Sequence, residues 1–480
     1  MSKRQTIYNN IEVGTGIMVS YGTGKFLAEF FAQAFGLVVF KYYETLKFAV
    51  FYNEQGYDKN LMLGLAALGF IIYSIYNALN DPLIGYITEK RTTIFSAKYG
   101  RRFPWIFIGS LLWVFSFILI FLIPSPFAEN PIGTFIWMIL TTCLFDTFYS
   151  LWDVNYQSIF PDKFREEKIR QKTIGISTAI GIFGIASGFI LPSIIIDLEA
   201  STTAQISDHI FNSVLFSIIG FFFVFLLIPG TRESPDMISR FLHDRKEKEE
   251  ESFFREFVQA LKVRNFAAWI VLYFFYQSGV VSFTASVQYI GDYILPEGQG
   301  TTLIFIGLLV GALIAVPLWQ QINKKVKNNQ RLMMMAAIVM AFFIIPITFI
   351  DTLEGLTLFI FLGGLGFGGY WMIMTPALAD VIDEIVVKTG KRNDGIFMGF
   401  RAFFGRFAFA VQAITFWAVH VITEFNPADI TNLAKFGIHL HTGLIPAIFM
   451  IIGVIIFWKM NTLNPTKISG IKNELKSRGL

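Results

Sequence analysis

The sequence is poor in charge and almost free of cysteine. Of its 480 residues, 15% are charged and one, Cys143, is a cysteine, whereas roughly a quarter of the residues of a soluble protein are charged. A single cysteine excludes an internal disulfide framework. The chain also lacks HExxH, a nucleotide-binding GxGxxG after a strand, and Cys–His metal spacing. An enzyme is therefore not predicted.

What the chain has instead is apolar residues in long runs. Hydrophobic residues make up 54% of it, and a bilayer core is crossed by about 20 consecutive apolar residues in a helix. The glycine-rich run at 361–371 lies inside one such segment, where small residues favour helix packing. The sequence predicts an all-α integral protein of the lipid bilayer with twelve transmembrane helices, at 26–51, 61–87, 103–123, 132–160, 174–196, 210–228, 267–290, 303–319, 332–350, 356–382, 396–422 and 444–458.

The basic residues orient these spans. Lys and Arg cluster in the connections at 90–102, 163–172 and 324–331, and they are absent from the third-to-fourth, fifth-to-sixth, seventh-to-eighth and ninth-to-tenth connections. The positive-inside rule then places both termini in the cytoplasm of a multi-pass protein of the cell membrane. The net charge of +4 reflects this topology, and no nucleic-acid partner is predicted because no basic stripe is interleaved with aromatic residues.

A long hydrophilic stretch divides the spans into two sets of six. We predict a first six-helix bundle at 1–230, a cytoplasmic linker at 231–262, a second six-helix bundle at 263–460 and a cytoplasmic tail at 461–480. Apolar residues recur at helical spacing near the end of the linker, which indicates an amphipathic surface helix. Six helices plus six is the plan of the major facilitator fold, whose halves move about a central site.

The fourth span carries a polar stripe. Asp146, Tyr149, Ser150, Asp153 and Gln157 recur at intervals of three and four, so they share one helical face. A polar contact between neighbouring helices is one explanation for such a face, but a water-filled cavity accounts for more of its polar residues. We predict that the stripe lines a substrate cavity.

Arg406 lies deep in the eleventh span. It is about 15 Å from the end of the span at roughly 1.5 Å of rise per residue, which is too deep for its charge to reach water easily, whereas Arg401 is nearer the surface. A charge in hydrocarbon costs roughly 2.5–3.5 kcal/mol on insertion scales. Arg406 therefore needs an acidic partner, for which Asp153, Asp146 and Glu29 are the candidates.

The second span holds a candidate cation site. Asn77 and Asp81 share a face at i and i+4, and with Ser150 and Glu29 they could supply the oxygen ligands that a small hard cation requires. The alternative for Asp81 is an ion pair with an arginine of the following loop, at 101–102.

Six segments in order resemble one transporter family. The chain is similar to the glycoside-pentoside-hexuronide:cation symporters, the melibiose permease-like branch of the major facilitator superfamily. This resemblance implies cation-coupled sugar symport by alternating access. The matching segments are SYGTGKFLAEF, YNALNDPLIGY, KYGRRFPWIFIG, YSLWDVNYQSIFP, YWMIMTPALADVIDE and GIFMGFRAFFGRFA.

The resemblance assigns roles in the cation site. It implies that Glu29 serves both sugar and cation, that Asp81 is a cation ligand, and that Ser150 is a cation-site hydroxyl. Asn77 stands where the sodium-coupled members of the family have an aspartate. The coupling ion is therefore expected to be Na⁺ or H⁺, with no other cofactor.

The resemblance also assigns roles in the sugar pocket. It implies that Asp153 holds sugar hydroxyls, that Trp371 is the aromatic wall, and that Arg406 replaces a lysine of the eleventh span. Gln157 stands where an aromatic platform is expected. Asp146 matches no acid of the sugar permeases, whereas the related lysophospholipid symporters have an acid near it.

Three functions remain open at this point. The first is cation-coupled symport of a sugar or glycoside, the second is symport of a lysophospholipid or other amphiphile on the same fold, and the third is a sensor or scaffold that transports nothing. None of them requires an oligomer. His439 and His441, in the last connection on the outer side, are expected to be solvated.

Overall fold

The computed structural model describes residues 14–90, 99–164, 166–197, 200–235, 237–238, 262–295, 300–389 and 394–478. Among these residues, twelve helices are long and apolar enough to cross a membrane, which confirms the all-α membrane fold. The helices are α1 (Thr15–Tyr52), α2 (Lys59–Lys90), α3 (Phe103–Phe121), α4 (Pro131–Lys163), α5 (Glu167–Ile195), α6 (Thr202–Thr231), α7 (Arg264–Tyr293), α8 (Thr301–Val326), α9 (Asn329–Phe349), α10 (Leu353–Thr389), α11 (Asp394–Ile422), α12 (Asn432–Met460) and, after the spans, α13 (Pro465–Arg478).

Four helices begin well before hydropathy predicts. α1 begins at Thr15, α5 at Glu167, α6 at Thr202 and α12 at Asn432, because their first turns are rich in polar or small residues, which carry no apolar signal. The amphipathic helix predicted near the end of the linker lies outside the described residues. The domain boundaries at 231–262 stay a prediction.

Glycines allow α5 to lie unusually close to α1. A β-carbon at Gly184 would stand 2.6 Å from the carbonyl oxygen of Phe26, and one at Gly188 would stand 2.6 Å from that of Phe30. Neither site has room for a larger residue unless the backbone shifts. This close packing fixes the face that α1 turns towards the interior of the bundle.

α1 changes its winding halfway along. Phe35–Val39 and Tyr42–Tyr52 form π-helical turns, in which each hydrogen bond reaches a carbonyl five residues back; such turns are rare and often mark functional sites. Glu44 lies in the second of these segments and Lys41 directly before it, and both side chains are buried.

The two membrane faces differ in how the halves meet. We call the face that holds the start of α1 and the end of α12 the terminal face, and the opposite face the distal face. At the distal face, α5 contacts α8 through the stacked rings of Phe189 and Phe305, whose centroids are 4.0 Å apart. α1 contacts α11 there through Phe40 and Phe416, at 5.7 Å. The distal face is thus closed by contacts between the first half (α1–α6) and the second (α7–α12).

Polar contacts near the terminal face join helices of the same half. The carboxylate of Glu233 accepts hydrogen bonds from the backbone N–H groups at 101–103, at 2.7, 2.6 and 3.3 Å. In the second half, Asn265 donates to Glu384 at 2.6 Å. These contacts stabilise each half separately.

Candidate functional site

An ion triad joins the two halves near the middle of the membrane. The guanidinium of Arg406 on α11 donates from Nη2 to Asp81 Oδ2 at 3.0 Å and from Nη1 to Asp146 Oδ1 at 3.3 Å. The exposed fractions of the three side chains are 19%, 17% and 2%. One largely enclosed cation therefore connects α11 of the second half to α2 and α4 of the first.

Asn80 and Ser150 complete this triad. The amide of Asn80 donates to Asp146 Oδ2 and to Ser150 Oγ, both at 3.0 Å, and the Ser150 hydroxyl donates to Asp81 Oδ1. Sequence reasoning missed Asn80, although it directly precedes Asp81. The missed signal was that two buried carboxylates require several donors, and a buried amide supplies two.

Replacing Asn80 with alanine is expected to destabilise the protein by about 1–3 kcal/mol, because Asp146 and Ser150 each lose a buried donor. The measurement is the melting temperature of the purified protein in detergent. The melting temperature of Asn130→Ala is measured for comparison. Asn130 is an exposed asparagine that caps the start of α4, outside the triad. A melting temperature for Asn80→Ala equal to that of the unmodified protein would contradict the assigned hydrogen bonds.

Asn77 lies one turn from Asp81, but its amide points elsewhere. It donates to the hydroxyl of Tyr73 at 3.0 Å. The side-chain oxygens of Asn77 and of Asn80 are both buried, and within the described part of the chain neither accepts a hydrogen bond. The two amides therefore leave a pair of buried acceptor atoms on the helix that carries Asp81.

A second polar group lies closer to the terminal face. Lys25 pairs with Glu29 at 2.6 Å, and Gln33 donates to the same carboxylate at 3.2 Å. On α4, Gln157 donates to Asp153 at 2.7 Å. Lys25 and Gln157 are both exposed, although both lie on membrane-spanning helices.

The ring of Tyr149 covers the triad. The guanidinium carbon of Arg406 lies 5.4 Å from the centre of that ring, within the range of a cation–π contact. Tyr149 is held in turn by Trp113 at 5.1 Å and Trp152 at 6.0 Å. The aromatic cluster keeps water from one side of the ion triad.

Trp371 lies in the second half, on α10. Its side chain is 37% exposed, and its ring meets Phe367 edge-on at 6.2 Å. The adjacent Tyr370 is buried and stacks on Tyr276 at 3.4 Å. This stacking holds α10 against α7.

The structure groups the candidate residues differently from the sequence hypothesis. Arg406 contacts Asp146, one of its three candidate partners, and also Asp81, which the hypothesis had assigned to a cation or to a loop arginine. Glu29 instead pairs with Lys25, and Asp153 with Gln157. The candidates thus form one triad at the centre and one polar group towards the terminal face.

The expectation that His439 and His441 are solvated was wrong. Both are buried. His439 contacts the carbonyl oxygen of Ile347 at 3.0 Å and Asp351 at 2.7 Å, and His441 contacts Ser286 at 2.7 Å. The cause is that α12 begins earlier than hydropathy suggests, so these residues lie inside a packed helix.

Two six-helix halves around a central charged site define a membrane transporter of the major facilitator type. The family model described as "MFS/sugar transport protein" matches residues 20–462. The chain belongs to this family, and it is a transporter and not an enzyme.

Curated relatives are distant and name two kinds of cargo. The lactose permease of Lactobacillus helveticus is 24% identical over 89% of this chain and 66% of its own length. The raffinose carrier protein of Pediococcus pentosaceus is 22% identical over 87% and 65%. The mouse sodium-dependent lysophosphatidylcholine symporter 1 is 19% identical over 82% and 77%. The chain thus spans about two thirds of the length of the two sugar carriers.

Solved structures share the fold. The inward-open xylose transporter XylE from E. coli superposes with a TM-score of 0.63 at 14% identity, covering 96% of this chain and 99% of that one. A nucleoside transporter, NupG, gives 0.59 at 11% identity, with 94% and 99% covered. At such identities the likeness concerns the fold alone.

Proposed function

We propose that the protein carries a glycoside or related sugar together with Na⁺ or H⁺ across the cytoplasmic membrane, by exposing the central site to each side in turn. The observation that carries this proposal is the partly buried Arg406, which is held between Asp81 and Asp146 across the two halves. An ion triad between halves can be rearranged by a bound ligand. A fixed scaffold gains nothing from it, because buried charges are costly to maintain.

The charges of the triad explain why a cation is needed. Asp81 and Asp146 carry two negative charges against one positive charge on Arg406, so one negative charge is left over. Enclosing that charge away from water is unfavourable. A proton offsets it directly, and Na⁺ would do so with oxygen ligands from Asp81, Ser150 and the unpartnered amide oxygens of Asn77 and Asn80.

The polar group near the terminal face suits a polyhydroxylated cargo. Lys25 and Gln157 offer hydrogen-bond donors, and the carboxylates of Glu29 and Asp153 accept hydrogen bonds from hydroxyl groups. The half-exposed Trp371 provides an apolar ring for one face of a sugar. Lactose and raffinose are named as the cargo of two relatives, which supports the same class for this chain.

A lysophospholipid is the second candidate. Trp371 and Phe367 together expose aromatic surface, and such surface can pack against an acyl chain. The mouse relative named as a lysophosphatidylcholine symporter aligns over more of its own length than the two sugar carriers do.

Thermal stability of the purified protein distinguishes the two cargoes. A ligand present at 100 times its Kd stabilises the folded state by about 2.7 kcal/mol, so the melting temperature rises. We expect a rise with lactose-type or raffinose-type glycosides that is larger when Na⁺ is present or when the pH is lowered. Each ligand is also added to the Asp153→Asn variant, which separates binding at the site from general effects of detergent-like molecules.

The outcomes are distinct. The melting temperature could rise with lysophosphatidylcholine alone, and this rise could be lost in Asp153→Asn. That result would identify the cargo as an amphiphile and not a sugar. If no ligand of either class produced a shift that depends on Asp153, the proposed site would be rejected.

A further inference from the structure

A chain of hydrogen bonds is buried at the distal face, away from the ion triad. Tyr289 donates to Glu44 Oε2, and Glu44 Oε1 lies 2.9 Å from Nδ1 of His420. Nε2 of His420 is 3.3 Å from Nε2 of His441, whose Nδ1 is 2.7 Å from Ser286 Oγ. All five side chains are almost completely buried. We call these five residues the distal latch.

The distal latch connects the two halves. Glu44 lies on α1, whereas its partners Tyr289 and His420 lie on α7 and α11, and His441 lies on α12. Alternating access requires the distal face to open. When it opens, Glu44 must leave both partners, and the carboxylate and the imidazoles then meet water.

With both histidines neutral, every bond of the latch is satisfied. Nδ1–H of His420 donates to Glu44, Nε2–H of His441 donates to the bare Nε2 of His420, and the Ser286 hydroxyl donates to the bare Nδ1 of His441. In this state the latch carries one net negative charge, on Glu44. That charge is buried, which is unfavourable.

One added proton is accommodated without breaking the chain. His420 then donates from both nitrogens, to Glu44 and to Nε2 of His441, and His441 donates from Nδ1 to Ser286. The Ser286 hydroxyl turns to the backbone oxygen of Ser282 at 2.6 Å, or to that of His441 at 2.9 Å. All bonds remain, and the net charge becomes zero.

The neighbouring charged groups have other contacts. The amine of Lys47, one turn along α1 from Glu44, lies 5.8 Å from the ring centre of Tyr42 and 5.2 Å from that of Phe51. Lys41 on α1 forms an ion pair with Asp292 on α7, and His439 on α12 contacts Asp351 at 2.7 Å. Tyr293, also on α7, is an uncharged neighbour whose ring is 5.7 Å from the Lys41 amine. Within the part of the chain that the structure describes, the one ion-pair contact of Glu44 is with His420, so a proton taken up by the histidines offsets the charge on Glu44.

Aromatic rings cover the histidines on their remaining sides. Phe425 stacks on His420 with the ring centres 4.1 Å apart, and Phe416 stacks on His441 at 4.3 Å. Water is therefore kept from both imidazoles while the distal face is closed. A proton can enter or leave only when the face opens.

We propose that the distal latch binds one proton when the distal face closes and releases it to the distal side when the face opens. Because the closed state holds the additional proton, lowering the pH favours closure and raising it favours opening. One proton taken up on closing changes the ratio of closed to open molecules by up to about tenfold per pH unit. The latch thus makes the direction of opening sensitive to the pH of the distal side.

The test measures the width of the distal face as a function of pH. Spin labels are attached to the full-length protein at Gln55→Cys in the first half and Leu433→Cys in the second, both exposed, in a Cys143→Ala background. Label distances are recorded between about pH 5 and about pH 8, which brackets the ordinary range of histidine. We expect the short-distance population to grow as the pH falls. No substrate is added, so the result is independent of the proposed cargo.

Variants assign the response to the latch. Glu44→Gln and His420→Gln should each flatten the pH dependence, because the neutral latch no longer has a charge to offset or a site for the proton. His209→Gln is the matched control: His209 is also buried, but it contacts a carbonyl of its own helix, that of Gln205 at 2.7 Å. It should respond to pH as the unmodified protein does.

Tyr289→Phe tests the latch with little change in volume. It removes a donor from Glu44, so the unprotonated latch becomes less stable and the response should move to higher pH. The proposal is overturned by a flat response of the unmodified protein, by a response that survives in Glu44→Gln or His420→Gln, or by an unmoved response in Tyr289→Phe. If the two glutamine variants do not fold, the pH dependence of the label distances in Tyr289→Phe tests the proposal alone.

Discussion

Replacing Arg406 with alanine is expected to lower the initial rate of uptake by at least about 100-fold, because a buried ion pair that loses one partner is destabilised by about 3–5 kcal/mol. Asp81 and Asp146 would both remain, without the guanidinium that each contacts. The conformations that enclose the site would then contain two like charges. The measurement is uptake into proteoliposomes of the ligand that stabilises the protein, with the melting temperature measured in parallel.

Two variants accompany Arg406→Ala. Arg401→Ala removes a guanidinium from the same helix at a position outside the triad, and it should retain most of the uptake. Arg406→Lys keeps the charge but loses the fork that reaches two carboxylates at once, so its uptake should fall between the two alanine variants. Normal uptake by folded Arg406→Ala would remove the triad from the transport cycle and would favour the sensor or scaffold hypothesis for these residues.

Replacing Asp153 with asparagine is expected to reduce uptake by about 10- to 100-fold, since a hydrogen bond to a charged group contributes about 1.5–3 kcal/mol. The substitution keeps the size of the side chain and leaves an oxygen that still accepts from Gln157. Stability should therefore change little, and the loss should reside in the interaction with the cargo. The rate and the apparent affinity of uptake are measured together.

Asp162→Asn is the matched control for this variant. Asp162 lies on the same helix, but it is exposed near the end of α4, so its replacement should leave uptake unchanged. A weaker affinity at an unchanged maximal rate in Asp153→Asn would place Asp153 in cargo binding. Equal uptake by the Asp153 and Asp162 variants would show that Asp153 contributes nothing to transport.

The architecture could be predicted from the sequence because hydrocarbon imposes a simple rule on length and polarity. The same rule shows why an acidic partner for Arg406 could be predicted, since a deep charge must be compensated. The choice among acids could not be predicted. It depends on how α2, α4 and α11 cross, and Asp81 and Asp146 turn out to be equally within reach of one guanidinium.

Other features of the structure were not predicted from the sequence, each for a different reason. The Lys25–Glu29 pair is an i, i+4 contact that helical spacing alone could have revealed, but Lys25 lies ahead of the apolar run and was not counted in a span. His420 lies near the end of α11, and His441 lies ahead of the apolar run predicted as the last span; at both positions solvation is the usual outcome. Their burial results from the packing of α7, α11 and α12 against α1. Such contacts between distant helices cannot be predicted from a single sequence.

The π-helical turns of α1 have a consequence for sequence alignment. A π turn holds an extra residue compared with an α turn, so side chains beyond Phe35 no longer follow the angular register set at Lys25 and Glu29. An alignment of this helix with an ordinary α-helix then matches the residues of one end only and needs a gap before the other. Residue equivalences around Lys41 and Glu44 should be drawn from superposed backbones.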